Sequence, residues 1–352
     1  MRYINDIFTV QVGKTWSNET LLELYERFIN RLSVDNESKS ELQKFVQFHL
    51  VGQRTRNLFT PDLALMDNFE IRATTFEAGV NSALDALAAK IIPTVKALGI
   101  TFDAIVTTTS SGNLMPGISY RMAHRLGALV QRNSVMLDLA NVGCTGSAKA
   151  LNIARLLNSS FKNILVLAIE LPSTLVNFTS TRFDVWQGNC TFGDGAVAIR
   201  ISSDPTQGNM ALALEEILNW QWTDIGLNLI SWNYRDYYNF VIADEKVFNR
   251  HVQQFVVDAL CQVKTAWQDE LHWAIHPAGI TLLMRLSRKL GLSAEVIQPS
   301  MAHYSKFSNM SSVSIMHILR EVAVNTPVNS NINLLTMGAG FNVCYGRIRK
   351  DA

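Results

Sequence analysis

The 352-residue sequence predicts an α/β protein with a partly parallel sheet, built as two halves of unequal length. Three observations predict it. Apolar runs alternate with segments of helical spacing. Several of those runs are continuously hydrophobic, as strands covered on both faces are. A polar Pro/Gly stretch, "SSDPTQGN" (Ser202–Asn209), interrupts the rhythm, which then restarts. The boundary is therefore expected between residues 1–202 and 203–352.

In chain order, "FDAIVTTTSSG" and "SVMLDLANVG" read as buried strands ending in small polar residues. "ILVLAIEL" and "GAVAIRIS" are two more, with "MPGISYRMAHRLGALV" and "CTGSAKALNIARLLNSS" as helices between them. After the boundary come helical "QQFVVDALCQVKTAW", the strand "LHWAIHP", helical "GITLLMRLSRKLGL" and "VSIMHILREV", and the terminal run "INLLTMGAGFNVCYGRI". No internal repeat or low-complexity segment stands out.

Composition narrows the function. A formal net charge of +1 gives no global field to steer the protein onto nucleic acid or an anionic membrane. No stretch reaches the apolar length of a membrane span, and the start lacks the pattern of a secretory signal. Cys144, Cys190, Cys261 and Cys344 lie far apart and none forms a CxxC, so neither a zinc site nor a disulfide frame is expected. A reducing, cytoplasmic setting is the expectation that follows.

Cys144 follows an apolar strand and stands between Gly143 and Gly146 at a helix start. Unpaired N–H groups and the helix dipole favour a thiolate there, which predicts a lowered thiol pKa. A buried cysteine is otherwise a small hydrophobe, and Cys190, Cys261 and Cys344 are read that way. Of the seven histidines, His276 ends the apolar strand "LHWAIHPAG", where side chains point into the usual crevice of α/β folds. Asn309 precedes the small residues of "SNMSSVSIMHIL", as a helix N-cap, a catalytic amide, or both.

Together these segments resemble the thiolase-fold condensing enzymes, most closely the type III polyketide synthases of the chalcone synthase family. "TTSSGNLMPGISYRMAHRLG", "GCTGSAKALNIARLL", "GNCTFGDGAVA", "HPAGITLLMRLSRKLGL", "SNMSSVSIMHIL" and "MGAGF" occur in family order. The resemblance runs from about Lys44 to the end. It implies a five-layered α-β-α-β-α core of two related halves and a catalytic triad of Cys144, His276 and Asn309. It also implies a homodimer and thioester substrates carried by coenzyme A or an acyl carrier protein. The implied chemistry loads an acyl group on Cys144 and extends it with decarboxylated malonyl units. It needs no metal, flavin or nicotinamide.

By the same resemblance Phe192, in "FGDG", matches a gatekeeper between substrate tunnel and reaction cavity, and Phe240 is the second. Met115 matches a methionine that reaches into the partner's cavity, and Ser311 lies beside the triad. Leu175 stands where chalcone-forming enzymes carry threonine, which argues against chalcone; the product expected of an iterative synthase here is a pyrone or resorcinol-type aromatic. At the entrance, Lys44 matches one of three phosphate-binding basic residues, but Gln47 and Val51 replace the others. Arg54 and Arg56 are substitutes or a solvated basic loop. Two alternatives stay open: a single-condensation ketoacyl synthase III-like enzyme using carrier-bound substrates, and a non-catalytic partner subunit.

Overall fold

The computed structural model describes residues 1–60, 68–221, 226–234, 238–242, 245–264, 267 and 270–351. The chain opens with β1 (Tyr3–Val10), β2 (Lys14–Ser17), α1 (Asn18–Arg31), α2 (Asn36–Leu50), β3 (Thr55–Leu58) and α3 (Phe69–Leu98). Then come β4 (Phe102–Thr109), α4 (Ile118–Leu126), β5 (Val130–Ala140), α5 (Gly146–Leu156), β6 (Asn163–Glu170), α6 (Phe183–Thr191) and β7 (Gly195–Ser202). Next are β8 (Leu212–Gln221), α7 (Gly226–Leu229), β9 (Ile230–Tyr234), β10 (Tyr238–Ile242), α8 (Glu245–Leu260) and β11 (Trp273–Ile275). The chain ends with α9 (Ile280–Leu290), α10 (Ala294–Phe307), α11 (Ser314–Asn325), β12 (Asn331–Gly338) and β13 (Asn342–Lys350).

Nine strands join in the order β11-β12-β13-β8-β1-β7-β6-β4-β5. β4 pairs in parallel with β5 and β6, and β11 with β12; the other pairings are antiparallel. The two halves of the sheet meet where Tyr3 and Ile4 of β1 pair with Ala213 and Leu212 of β8.

Burial sorts the chain into five layers. α3 and α4 pack with outward residues of β4, β6 and β7 in one cluster. α8, α9 and α10 pack with β11, β12 and β13 in another. Between them α5 and α11 are covered by strands from both halves of the sheet. Strand β6 explains its own sequence. Ile164, Val166 and Ala168 face the central helices, while Leu165, Leu167 and Ile169 face α3, so no position is left for a polar residue.

β5 corrects the expectation of a strand buried on both faces. It is the edge strand, and none of its residues is fully buried. Val135, Leu137 and Leu139 pack against the cluster of the central helices and Val130 and Met136 against that of α3, but all stay only half-buried, because the described residues include no strand beyond β5. No helix among the described residues is long and apolar enough to cross a membrane.

Candidate active site

The two central helices begin side by side, each after a 3-10 turn: Gly143–Thr145 before α5 and Ser311–Val313 before α11. Ser147 Oγ donates to the Ser312 carbonyl at 2.5 Å, locking the two starts together. Cys144 sits in the first turn and is partly exposed. Gly143 has φ +62, in the left-handed region that glycine tolerates. Gly338, at the end of β12, meets the turn from the other side. A Cβ on it would stand 3.0 Å from the Cys144 nitrogen and 3.1 Å from that of Thr145. The slim surroundings read in the sequence thus extend to a glycine almost two hundred residues away.

The side chains of Asn309 and Ser311 lie beside the Cys144 sulfur, where hydrogen bonding favours its thiolate. Asn309 Oδ1 accepts from the Ser311 N–H at 2.8 Å, which turns its amide NH₂ toward the sulfur. Its backbone is no helix cap but bridges to Phe192: Asn309 N–H donates to Thr191 O at 3.1 Å, and Gly193 N–H to Asn309 O at 3.0 Å. His276 follows β11 directly and its N–H donates to Leu335 O at 2.8 Å. Ser300 of α10 pins the preceding residue, donating to Ile275 O at 2.7 Å. The imidazole is 1% exposed and both its nitrogens lack a hydrogen-bond partner.

Burial pushes the Cys144 thiol up to about 12; hydrogen bonds from Ser311 and Asn309 oppose the rise and the Glu170 carboxylate adds to it. Burial lowers His276 to about 3. The expected low thiol pKa is thereby corrected. A helix N-terminus supplies at most about 2 kcal/mol, roughly 1.5 pK units, and α5 begins only after the cysteine. Desolvation outweighs the dipole, and burial favours the neutral thiol and the neutral imidazole.

Sequence reasoning missed Glu170. It ends β6 fully buried, with Oε1 accepting from Ser312 Oγ (2.6 Å) and Ser311 Oγ (3.3 Å). Its Oε2 accepts from the Ser110 N–H (3.0 Å) and Ser111 Oγ (3.1 Å). Burial raises its pKa to about 7 against those four donors. The available clue was a lone acid closing the apolar run "ILVLAIE", at the strand end that faces the crevice.

Two cavities flank helix α6. Val185, Gly188 and Asn189 line an inner one of about 40 Å³ with Glu170, Leu175, Phe192 and Ser311. Asp184, Gln187 and Thr191 line an outer one of about 270 Å³, open to solvent past Phe48, Val51 and Ile280. The spacing of the two sets makes opposite faces of one helix, so α6 is the wall between mouth and chamber. Leu175, Phe192 and Ser311 are therefore in the chamber wall. Phe240 lies in β10, and its side chain is outside the described residues. Met115 is 96% exposed, remote from the chamber of its own chain.

Lys44 and Arg54 are exposed, Lys44 on α2. Arg56 corrects its assignment to the entrance. It is 1% exposed, and its guanidinium donates to the carbonyls of Asn189 and Phe192, both at 3.0 Å, to that of Cys190, and to Gln53 Oε1 at 2.6 Å. Four acceptors inside the protein outcompete solvent for the fork of donors.

Models of the chalcone and stilbene synthases match this chain, the N-terminal domain over residues 62–205 and the C-terminal domain over 239–345. Two solved structures superpose on it with a TM-score of 0.85 at 18% identity. One is the C-terminal type III polyketide synthase domain of Steely1, a type I/III hybrid from Dictyostelium, covering 100% of this chain and 99% of that one. The other is 1,3,6,8-tetrahydroxynaphthalene synthase from Streptomyces coelicolor A3(2), a bacterial type III polyketide synthase, covering 99% of each. The fold is theirs, and the chain belongs to the chalcone and stilbene synthase family, as a type III polyketide synthase-like acyltransferase.

Proposed function

We propose that Cys144 is loaded with an acyl group from a thioester and that malonyl units extend it by decarboxylative Claisen condensation. The observation that carries this is that Ser311, whose side chain lies beside the Cys144 sulfur, also walls a chamber with Leu175 and Phe192. Since burial favours the neutral thiol and imidazole, His276 acts as a general base, taking the Sγ proton as sulfur attacks the thioester carbonyl, and the carrier's thiolate leaves and is protonated by solvent. Its unpartnered ring is free to do so. The malonyl unit then loses CO₂, and Asn309 with protonated His276 donates to the enolate oxygen. The enolate carbon attacks the acyl-Cys144 carbonyl, and sulfur leaves. No electron is gained or lost overall, so the chemistry calls for no flavin or nicotinamide.

On this reading residues 1–202 supply the nucleophile and 203–352 the histidine and asparagine. A homodimer is proposed from the exposed side chain of Met115 and the apolar edge strand β5, since an open apolar edge favours pairing. The chamber of about 40 Å³ favours few extensions and release as a pyrone or resorcinol-type product. The mouth, with Phe48 and Val51 exposed and Gln47 beside them, leaves coenzyme A and an acyl carrier protein both as starter carriers. It supports as second reading a single condensation on carrier-bound substrates. Lys44 and Arg54 are the remaining candidates for the carrier's phosphates. Incubation with malonyl-CoA and panels of acyl-CoA and acyl-carrier starters, followed by mass spectrometry, tests both. Products of two or more extensions support the first reading, and a lone β-ketoacyl product the second.

A further inference from the structure

We propose that Arg56 is a positioning residue that sets Phe192 and Asn309 in one register without touching substrate. The last turn of α6 leaves carbonyls with no partner in the helix, at the negative end of its dipole. Arg56 fills that place from β3, binding the carbonyls of Asn189, Cys190 and Phe192. Its neighbour Asn57 accepts from the Asp194 N–H at 2.8 Å. The segment Thr191–Asp194 is thus held by β3 on one side. On its other side it is bonded through Thr191 O and the Gly193 N–H to the backbone of Asn309. Any slip of Phe192 O relative to β3 is passed across that bridge to the amide that lies beside the Cys144 sulfur.

Gln53 braces the guanidinium. Its Oε1 accepts from Arg56 Nη2, while its Nε2 donates to Cys190 O at 3.0 Å and to Tyr304 Oη at 3.1 Å. A lysine at position 56 keeps the charge but, as a point donor on a flexible stem, cannot span four acceptors. Because Asn309 serves decarboxylation in the reading above, on which this inference rests, the misplacement strikes one half-reaction more than the other.

The test compares wild type, Asn309→Ala, Arg56→Lys, Arg56→Met and Gln53→Met. It reads acylation of Cys144 by quenched intact-mass measurement, CO₂ release from malonyl-CoA, and cooperative melting. We expect Arg56→Lys to load starter within a few-fold of wild type. Its CO₂ release should fall on the order of ten- to a hundredfold, as sub-ångström to ångström misplacements do. Gln53→Met should show the same split, smaller, and it decides the matter if both Arg56 variants fail to fold. Wild-type CO₂ release, or a parallel loss of both half-reactions in a folded variant, overturns the proposal. If Asn309→Ala itself decarboxylates normally, the site reading falls and the proposal with it. If Asn309→Ala is impaired and Arg56→Lys is not, the proposal falls alone.

Discussion

The starts of α5 and α11 occupy matching places in the central layer, each after a 3-10 turn and each without a side-chain cap. They are built in opposite ways. The α5 start is built by close backbone approach: a Cβ on Gly143 would stand 3.0 Å from the Ala339 nitrogen, one on Gly146 2.4 Å from Thr108 Oγ1, and one on the facing Gly338 3.0 Å from the Cys144 nitrogen, so side-chain-free backbone surrounds a single cysteine. The α11 start is crowded with donors: Ser311 and Ser312 bond Glu170, Asn309 is held in a turn with Ser311, and Ser314 Oγ accepts from the Met310 N–H at 2.8 Å. A lone cysteine on slim backbone suits a nucleophile that accepts and releases acyl chains. A fixed set of donors suits charge that appears briefly on one oxygen. On the proposed reading, loading belongs to the first start and decarboxylation to the second.

The largest expected effect breaks the first start outright. Cys144→Ala should abolish condensation, because removal of a nucleophile typically costs on the order of 10⁶ in rate. Acylation persisting on Cys190 would contradict the division. A second experiment sharpens it through reactivity. Cys261 is exposed while burial holds the Cys144 thiol up, so iodoacetamide near neutral pH should label Cys261 first. Peptide mapping that finds Cys144 first would mean the ion pair already exists at rest.

Leu175 probes the chamber both starts share. Leu175→Ala should redistribute or lengthen products while malonyl decarboxylation stays nearly intact. A stability loss of up to about 2–5 kcal/mol accompanies it. An unchanged product ratio from the folded variant would remove Leu175 from the chamber's control of size.

The smallest effect concerns Glu170. Its pKa rises from 4.5 to about 7 on folding, so between those values the folded state holds a proton that the unfolded state has lost. Stability is then fully present below about 4.5 and is lost as pH climbs through about 7, by up to roughly 3 kcal/mol. Glu170→Gln should flatten that slope in denaturant melts across the window. A slope unchanged by the substitution would mean that Glu170 is ionised in the folded protein. Asp194, raised to about 6 by burial, contributes a slope of its own that the variant leaves in place.

Much of this was legible in the sequence, for a physical reason. Strands β4, β6 and β7 are covered on both faces, so their central residues are mostly apolar and announce themselves. The cysteine and histidine stand at ends of such runs, where polar groups have one place to point. β1 was not read, although it lies in the middle of the sheet. Its "NDI" carries Asp6, whose carboxylate pairs with Arg200 at 2.7 Å in the interior and mimics a surface residue in sequence. Arg56 misled in the same way, since its partners are carbonyls from a helix more than a hundred residues away. β5 erred in the other direction: it is apolar and yet at an edge. Sequence patterns report what a side chain prefers, and these three residues or strands satisfy that preference through distant partners or an unfilled edge.

The division between the two helix starts is tested most directly by separating the half-reactions in Asn309→Ala. Starter acylation of Cys144 is followed by intact mass, and CO₂ release from malonyl-CoA is followed on the same preparation. The account predicts near-wild-type acylation with CO₂ release lowered on the order of 10²–10³. Normal CO₂ release with slow acylation would reverse the roles of the two starts and contradict it.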